Sequence, residues 1–186
     1  VATVSSMGDN LGNQFTLARS RGTPQPSSAH AELWFQTNIS SASTRVHVGL
    51  STLSSGGLAC GQWDGVSTAN ALGVTSDSAI TVDSTSHSAA EVNSSGLAIT
   101  CARANAILSE ATPQGGMTAW YSTALSTAGA FSMGMYQINT DPTTVTGTWA
   151  SSAAVRHSEV LAVFFDTAAA AVFAGQPFSF CLTGVQ

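Results

Sequence analysis

Apolar and polar residues alternate with a period of two along most of the chain, and this constrains the fold more than any other feature. Residues two apart on a strand share a face, so strict alternation signals β structure rather than helix. Gln14 to Ser20 sets Phe15, Leu17 and Arg19 on one side. Ala29 to Gln36 sets Ala31, Leu33 and Phe35 opposite His30, Glu32 and Trp34, and Arg45 to Leu50 alternates Val46 and Val48 with Arg45 and His47. Further strands are expected over 57–63, 79–83, 96–104, 117–125, 131–139, 143–150, 159–166 and 178–183, separated by Gly, Pro, Asn, Asp and Ser clusters such as Asn139-Thr140-Asp141-Pro142. Asp64-Gly65 reads as a turn that ends the strand over 57–63. The best helix candidate is Thr167 to Ala174, long enough for one short helical turn. The expectation is an all-β, jelly-roll-like antiparallel sandwich of about ten to twelve strands. It forms one domain over residues 1–186, with 167–186 as a C-terminal extension strand.

Charge narrows the range of functions. Only 8% of the 186 residues are charged, against about 25% in typical soluble domains. Lysine is absent, the five basic residues are all arginine, and Ser and Thr fill roughly a quarter of the chain. Disorder does not fit, because disordered segments lack the apolar residues that alternate here. A net charge of −5 leaves no basic stripe for phosphates, so nucleic acid is not expected as a partner. No apolar run reaches the ~20 residues of a membrane-spanning helix. A polar but nearly chargeless surface suits burial against copies of itself, where charge would be costly to desolvate. Asn38-Ile39-Ser40 and Asn93-Ser94-Ser95 match the glycosylation triplet, which matters only in a glycosylating host.

Several stretches together resemble a broad group of Ser/Thr/Ala-rich β-sandwich domains found in exported bacterial proteins and phage virion proteins. Asp9-Asn10-Leu11-Gly12-Asn13-Gln14-Phe15-Thr16-Leu17 is similar to that group's D-x-L-G-N hairpin, and Ala31-Glu32-Leu33-Trp34-Phe35 to its A-x-[IL]-W-[YF] strand. Val46-His47-Val48 and Gly61-Gln62-Trp63-Asp64-Gly65-Val66 follow in the same order. Val145-Thr146-Gly147-Thr148-Trp149 and Glu159 to Phe164 look like its closing strands. The resemblance implies the sandwich fold and no common catalytic activity. Val1 to Met7 would supply the near side of the hairpin. The group's strands upstream of that hairpin have almost no room here, and a start on Val1 reads as a processed one. An exposed sheet edge would then find its partner in a sister chain. The segment Phe178-Ser179-Phe180-Cys181-Leu182 either closes its own sheet or enters a neighbour's.

Candidate chemistry is sparse. His30-Ala31-Glu32 and His157-Ser158-Glu159 each set an imidazole and a carboxyl on one strand face, which alternation places toward solvent. Two such strands side by side would make a four-ligand metal site, but nothing in the sequence makes them neighbours, so no metal or cofactor is assigned. Cys60, Cys101 and Cys181 are too widely spaced for a paired C-x-x-C zinc pattern, leaving one disulfide with a free thiol, or buried thiols. No G-x-S-x-G elbow marks a serine nucleophile, and catalysis is not expected. Trp34, Trp120, Tyr121 and Trp149 are the candidate ligand or interface aromatics, with Trp120 and Tyr121 on opposite strand faces. The expected role is structural, a subunit of an extracellular, cell-surface or virion assembly whose partners are copies of itself. The alternative is a carbohydrate-binding or adhesive module that takes surface glycans.

Overall fold

The computed structural model describes residues 3–23, 29–40, 42–52, 56–63, 71–88, 92–106, 108, 110–125, 130–164 and 178–185. Among them there are twelve strands and no helix, in antiparallel sheets, as the alternation predicts. The helical turn expected over Thr167 to Ala174 and the Asp64-Gly65 turn lie outside the described residues.

Strands β1 (Val4–Asp9) and β4 (Val46–Leu50) pair as a ribbon. Strands β2 (Thr16–Gly22), β3 (His30–Gln36), β12 (Phe178–Val185) and β5 (Gly56–Trp63) form a four-stranded sheet in that order. A six-stranded sheet runs β6 (Leu72–Ser88), β11 (Thr148–Phe164), β7 (Val92–Ala104), β10 (Ala130–Val145) and β9 (Thr118–Leu125), with β8 (Ala111–Gln114) paired to β11. The extension strand β12 therefore closes its own sheet, between β3 and β5.

The four- and six-stranded sheets face each other. Ala31 and Leu33 of β3 pack on Leu97, Ile99 and Cys101 of β7 and on Val160, Ala162 and Phe164 of β11. Phe35 meets Phe164 edge-on at 5.4 Å. The opposite face of β3 is also covered, because Trp34 packs with Val4, Met7, Phe15 and Ile39 beneath the β1–β4 ribbon. A third core lies on the far side of the large sheet, where Ala98, Leu161 and Val163 meet Met133, Met135 and Trp149. That sheet curls over this core: β8 bonds to the first residues of β11 and lies against β9. Strand β3, β7 from Gly96 and β11 from His157 are thus buried on both faces.

Several sequence expectations change. The D-x-L-G-N segment is a corner closed by a short hairpin, in which Asp9 N donates to Asn13 O, Phe15 N donates to Met7 O and Gly8 bridges Gln14, while beyond it β1 pairs with β4 and β2 with β3. Asp9 builds the corner. Its Oδ1 accepts from the amides of Leu11 and Asn13, each at 2.9 Å, and its Oδ2 from Asn13 Nδ2 at 2.8 Å. These bonds, the Asn13 side chain foremost, pull its carboxyl down to about 2. Asn10 Oδ1 accepts from the amides of Thr44 and Arg45 and so steers β1 onto β4. Gly12 at φ 85° permits the reversal.

The short strand over 79–83 is the middle of the 17-residue β6. The strand over 143–150 is divided, Val145 closing β10 and Thr148 opening β11, which then runs on through the expected start at Glu159. Small polar residues that read as a loop continue the ladder with a break in register between Ala150 and Val155. Strand β8 was not foreseen.

The two open sides of the sandwich close differently. At the β2–β6 side, the guanidinium groups of Arg19 and Arg21 hold the Asp77 carboxyl. At the β5–β9 side, Trp63 packs edge-on against Trp120 at 5.3 Å and against Tyr136 at 6.3 Å. The ring of Trp63 folds back over Gly61, where a Cβ would sit 2.1 Å from it. Gly61→Ala should therefore lift Trp63 from its seat, red-shift the tryptophan emission and cost about 1–3 kcal/mol in urea unfolding.

Candidate functional site

The four candidate aromatics separate into two kinds. Trp34 and Trp149 are core residues at 9% and 0% exposure, so neither presents a face to a ligand. Trp120 and Tyr121 are half-buried and lie on one side of β9, not on opposite faces. The reason is a bulge: Tyr121 stands opposite Gly134 and Ala119 opposite Met135, so Trp120 is the extra residue. A bulge lets successive side chains share a side, and these two rings lie 6.0 Å apart. With Trp63 and Tyr136 they form a half-buried aromatic cluster.

Both H-x-E pairs point inward, which overturns their expected solvent exposure. Glu32 is held under the β1–β4 ribbon. Its Oε1 accepts from the Val4 amide at 3.1 Å and faces His30 Nε2 at 2.8 Å, and its Oε2 accepts from Trp34 Nε1 at 2.7 Å. His157 and Glu159 share a face with Leu161 and Val163 and enter the core on the far side of the large sheet. The two pairs therefore occupy different cores. Among the described residues no three His, Cys, Asp or Glu side chains gather as metal ligands.

The second pair belongs to a longer chain of polar groups. Thr100 Oγ1 donates to Glu159 Oε1 at 2.7 Å, and Trp149 Nε1 donates to Oε2 at 3.3 Å. The same Oε2 lies 3.7 Å from His157 Nε2. His157 Nδ1 is 2.9 Å from His87 Nδ1, His87 Nε2 is 2.8 Å from Ser151 Oγ, and Ser151 Oγ reaches the Ala153 carbonyl at 2.7 Å. The His87 ring stacks on Trp149 at 3.9 Å. Gly147 leaves the room, since a Cβ there would fall 2.5 Å from Glu159 Oε1. Burial decides the charges. It pushes the Glu159 carboxyl up to about 8, and lowers His87 to about 4 and His157 to about 3, the last helped by His87. At neutral pH His87, His157 and Glu159 are therefore uncharged, as burial favours.

His87, Thr100 and Ser151 escaped the sequence reading. They lie in Ser/Thr-rich stretches where no spacing singles them out, and only the strand register joins them to the His157-x-Glu159 pair. The cysteines divide as one of the two alternatives had it: Cys60 is disulfide-bonded and Cys101 is a buried free thiol. The remaining cysteine, Cys181, stands opposite Cys60 in the backbone register.

Fold and site together define an antiparallel all-β sandwich with a neutral polar relay in one of its cores. No protein-family model matches the chain, and no curated protein or solved structure matches it at a significant level. Among the described residues no helix is long and apolar enough to cross a membrane.

Proposed function

We propose that this chain is a structural subunit of an extracellular assembly, a filament, coat or surface layer that includes phage virions, held by β contacts between copies. The observation that carries this reading is the place of β12. It sits inside the four-stranded sheet, and its partners β3 and β5 are both remote in sequence. Within one copy β12 fills these two ladders itself, and the assembly reading has a neighbouring copy's β12 take the same place, as in domain swapping. A chain with only ten acidic and five basic residues in 186, of which Asp9, Glu32, Arg103 and Glu159 are buried, supports close packing of like subunits, since few charges have to be desolvated.

Light scattering and negative-stain microscopy test the proposal. Masses above the monomer, with ordered fibres or shells at high concentration, are expected. A monodisperse monomer at every concentration would overturn it.

A second reading, a carbohydrate-binding or adhesive module, rests on the half-buried cluster of Trp63, Trp120, Tyr121 and Tyr136. Aromatic faces stack on sugar rings, so binding on a glycan array that disappears in Trp120→Ala would favour it.

A further inference from the structure

The relay through the far core ends at a serine. Ser151 is half-buried, while its neighbours Ser152, Ala153 and Ala154 are exposed where β11 breaks register against β6. Beneath it His87 is 1% exposed and clamped by the Trp149 face. A hydroxyl within hydrogen-bond reach of an imidazole, itself oriented by a third group, is the arrangement by which proteins activate weak nucleophiles. We propose that Ser151 is an activated nucleophile, with His87 as its general base and His157 as the group that orients that base, acting on small acyl esters with good leaving groups.

Proton inventory gives the relay two settings. In the resting one, Ser151 donates to the Ala153 carbonyl, His87 Nε2–H donates to Ser151, and His157 Nδ1–H donates to His87 Nδ1. In the active one the two imidazole bonds reverse and the bond to the Ala153 carbonyl breaks. Ser151 donates to His87 Nε2, His87 Nδ1–H donates to His157 Nδ1, and the His157 Nε2–H faces Glu159 Oε2. Ionised Glu159 attracts that proton and selects the active setting, whereas protonated Glu159 does not. Burial holds Glu159 protonated up to about pH 8, so reactivity rises on the alkaline side.

The other groups around the relay are few. Thr100 and Trp149 donate to Glu159, and Cys101 of β7 lies within reach of its charge. Near Ser151, Glu110 bonds Ser152 through its backbone, and Arg156 bonds Asn105 through its amide.

In the reaction, Ser151 Oγ attacks the ester carbonyl and its proton passes to His87 Nε2. The carbon–oxygen bond to the leaving alcohol breaks, and the alcohol takes that proton. Water then cleaves the acyl-serine, releasing the acid and restoring the hydroxyl. This chemistry is independent of assembly.

A fluorophosphonate probe tests it. The Ser151–phosphorus bond forms as the phosphorus–fluorine bond breaks, and peptide mapping locates the adduct. The wild type should carry one adduct, at Ser151, absent in Ser151→Ala. His87→Gln should slow labelling about 100-fold. Glu159→Gln should remove the rise in rate between about pH 7 and pH 9. No adduct on Ser151, or one formed equally fast in His87→Gln, overturns the proposal. Should His87→Gln fail to fold, Ser151→Cys decides. Its alkylation by iodoacetamide should rise near pH 8 as Glu159 ionises and lose that step when Glu159→Gln is added, and a profile unchanged by the second substitution overturns it.

Discussion

Folding stability should pass through a maximum near pH 6.5 and fall on both sides, with the alkaline limb removed by Glu159→Gln. The three titratable groups of the buried relay dictate this shape. Glu159 ionises at its ordinary 4.5 in the unfolded chain but only at about 8 in the folded protein. Between those values the folded state holds a proton the unfolded state has lost. Its contribution is therefore complete below 4.5 and lost as pH rises through about 8.

His157 and His87 act in the opposite sense. Their ordinary value of 6.5 falls on folding to about 3 and about 4. Their contribution is complete above 6.5 and lost as pH falls through the folded values. From about pH 4.5 to 6.5 two histidines outweigh one carboxyl and stability rises. From 6.5 to 8 Glu159 acts alone among them, and stability should fall by up to about 1.4 kcal/mol per pH unit, or about 2 kcal/mol across the interval. Urea unfolding at a series of pH values measures both limbs. An alkaline slope that persists in Glu159→Gln would show that another group sets it.

Glu32→Ala should cost about 3–5 kcal/mol, among the largest losses available to a single side chain here. The Glu32 carboxyl is 2% exposed and receives the Val4 amide, His30 Nε2 and Trp34 Nε1. Its removal strands several polar groups in a core lined by Met7, Phe15 and Ile39, and each buried group left unsatisfied costs about 1–3 kcal/mol. Trp34→Phe, which strands one carboxyl oxygen and empties part of the indole's space, should cost less, about 1–3 kcal/mol. The bond to Val4 also joins β1 to β3, so hydrogen exchange should show β1–β4 amides losing protection in Glu32→Ala before those of the large sheet. Equal losses in the two variants would mean that Glu32 acts by filling space rather than by joining sheets.

Particular residues show why some of this was legible in the sequence. In β3, Ala31, Leu33 and Phe35 were correctly placed on one core face, because a pleated strand sends alternate side chains to opposite sides whatever surrounds it. The same alternation placed His30, Glu32 and Trp34 on the other face and said nothing of what lies over it. The β1–β4 ribbon lies there, folded across by the Asp9 corner, and turns an expected wet face into a second core. Trp120 and Tyr121 failed similarly, since a bulge adds one residue and shifts the parity on which facing is read. Long strands such as β6 and β11 were broken up in the reading because serine and alanine fit loops and ladders alike.

The sequence by itself determined the class, an antiparallel all-β sandwich, because alternation and turn chemistry are local properties that survive any packing of the strands. Tertiary structure alone decided which polar residues are buried and which of them meet. Ser151, His87, His157 and Glu159 come from two strands and a break in register, and Thr100 joins them from a third. Register and layer order are set by contacts between residues far apart in the chain, and no local pattern encodes those distances.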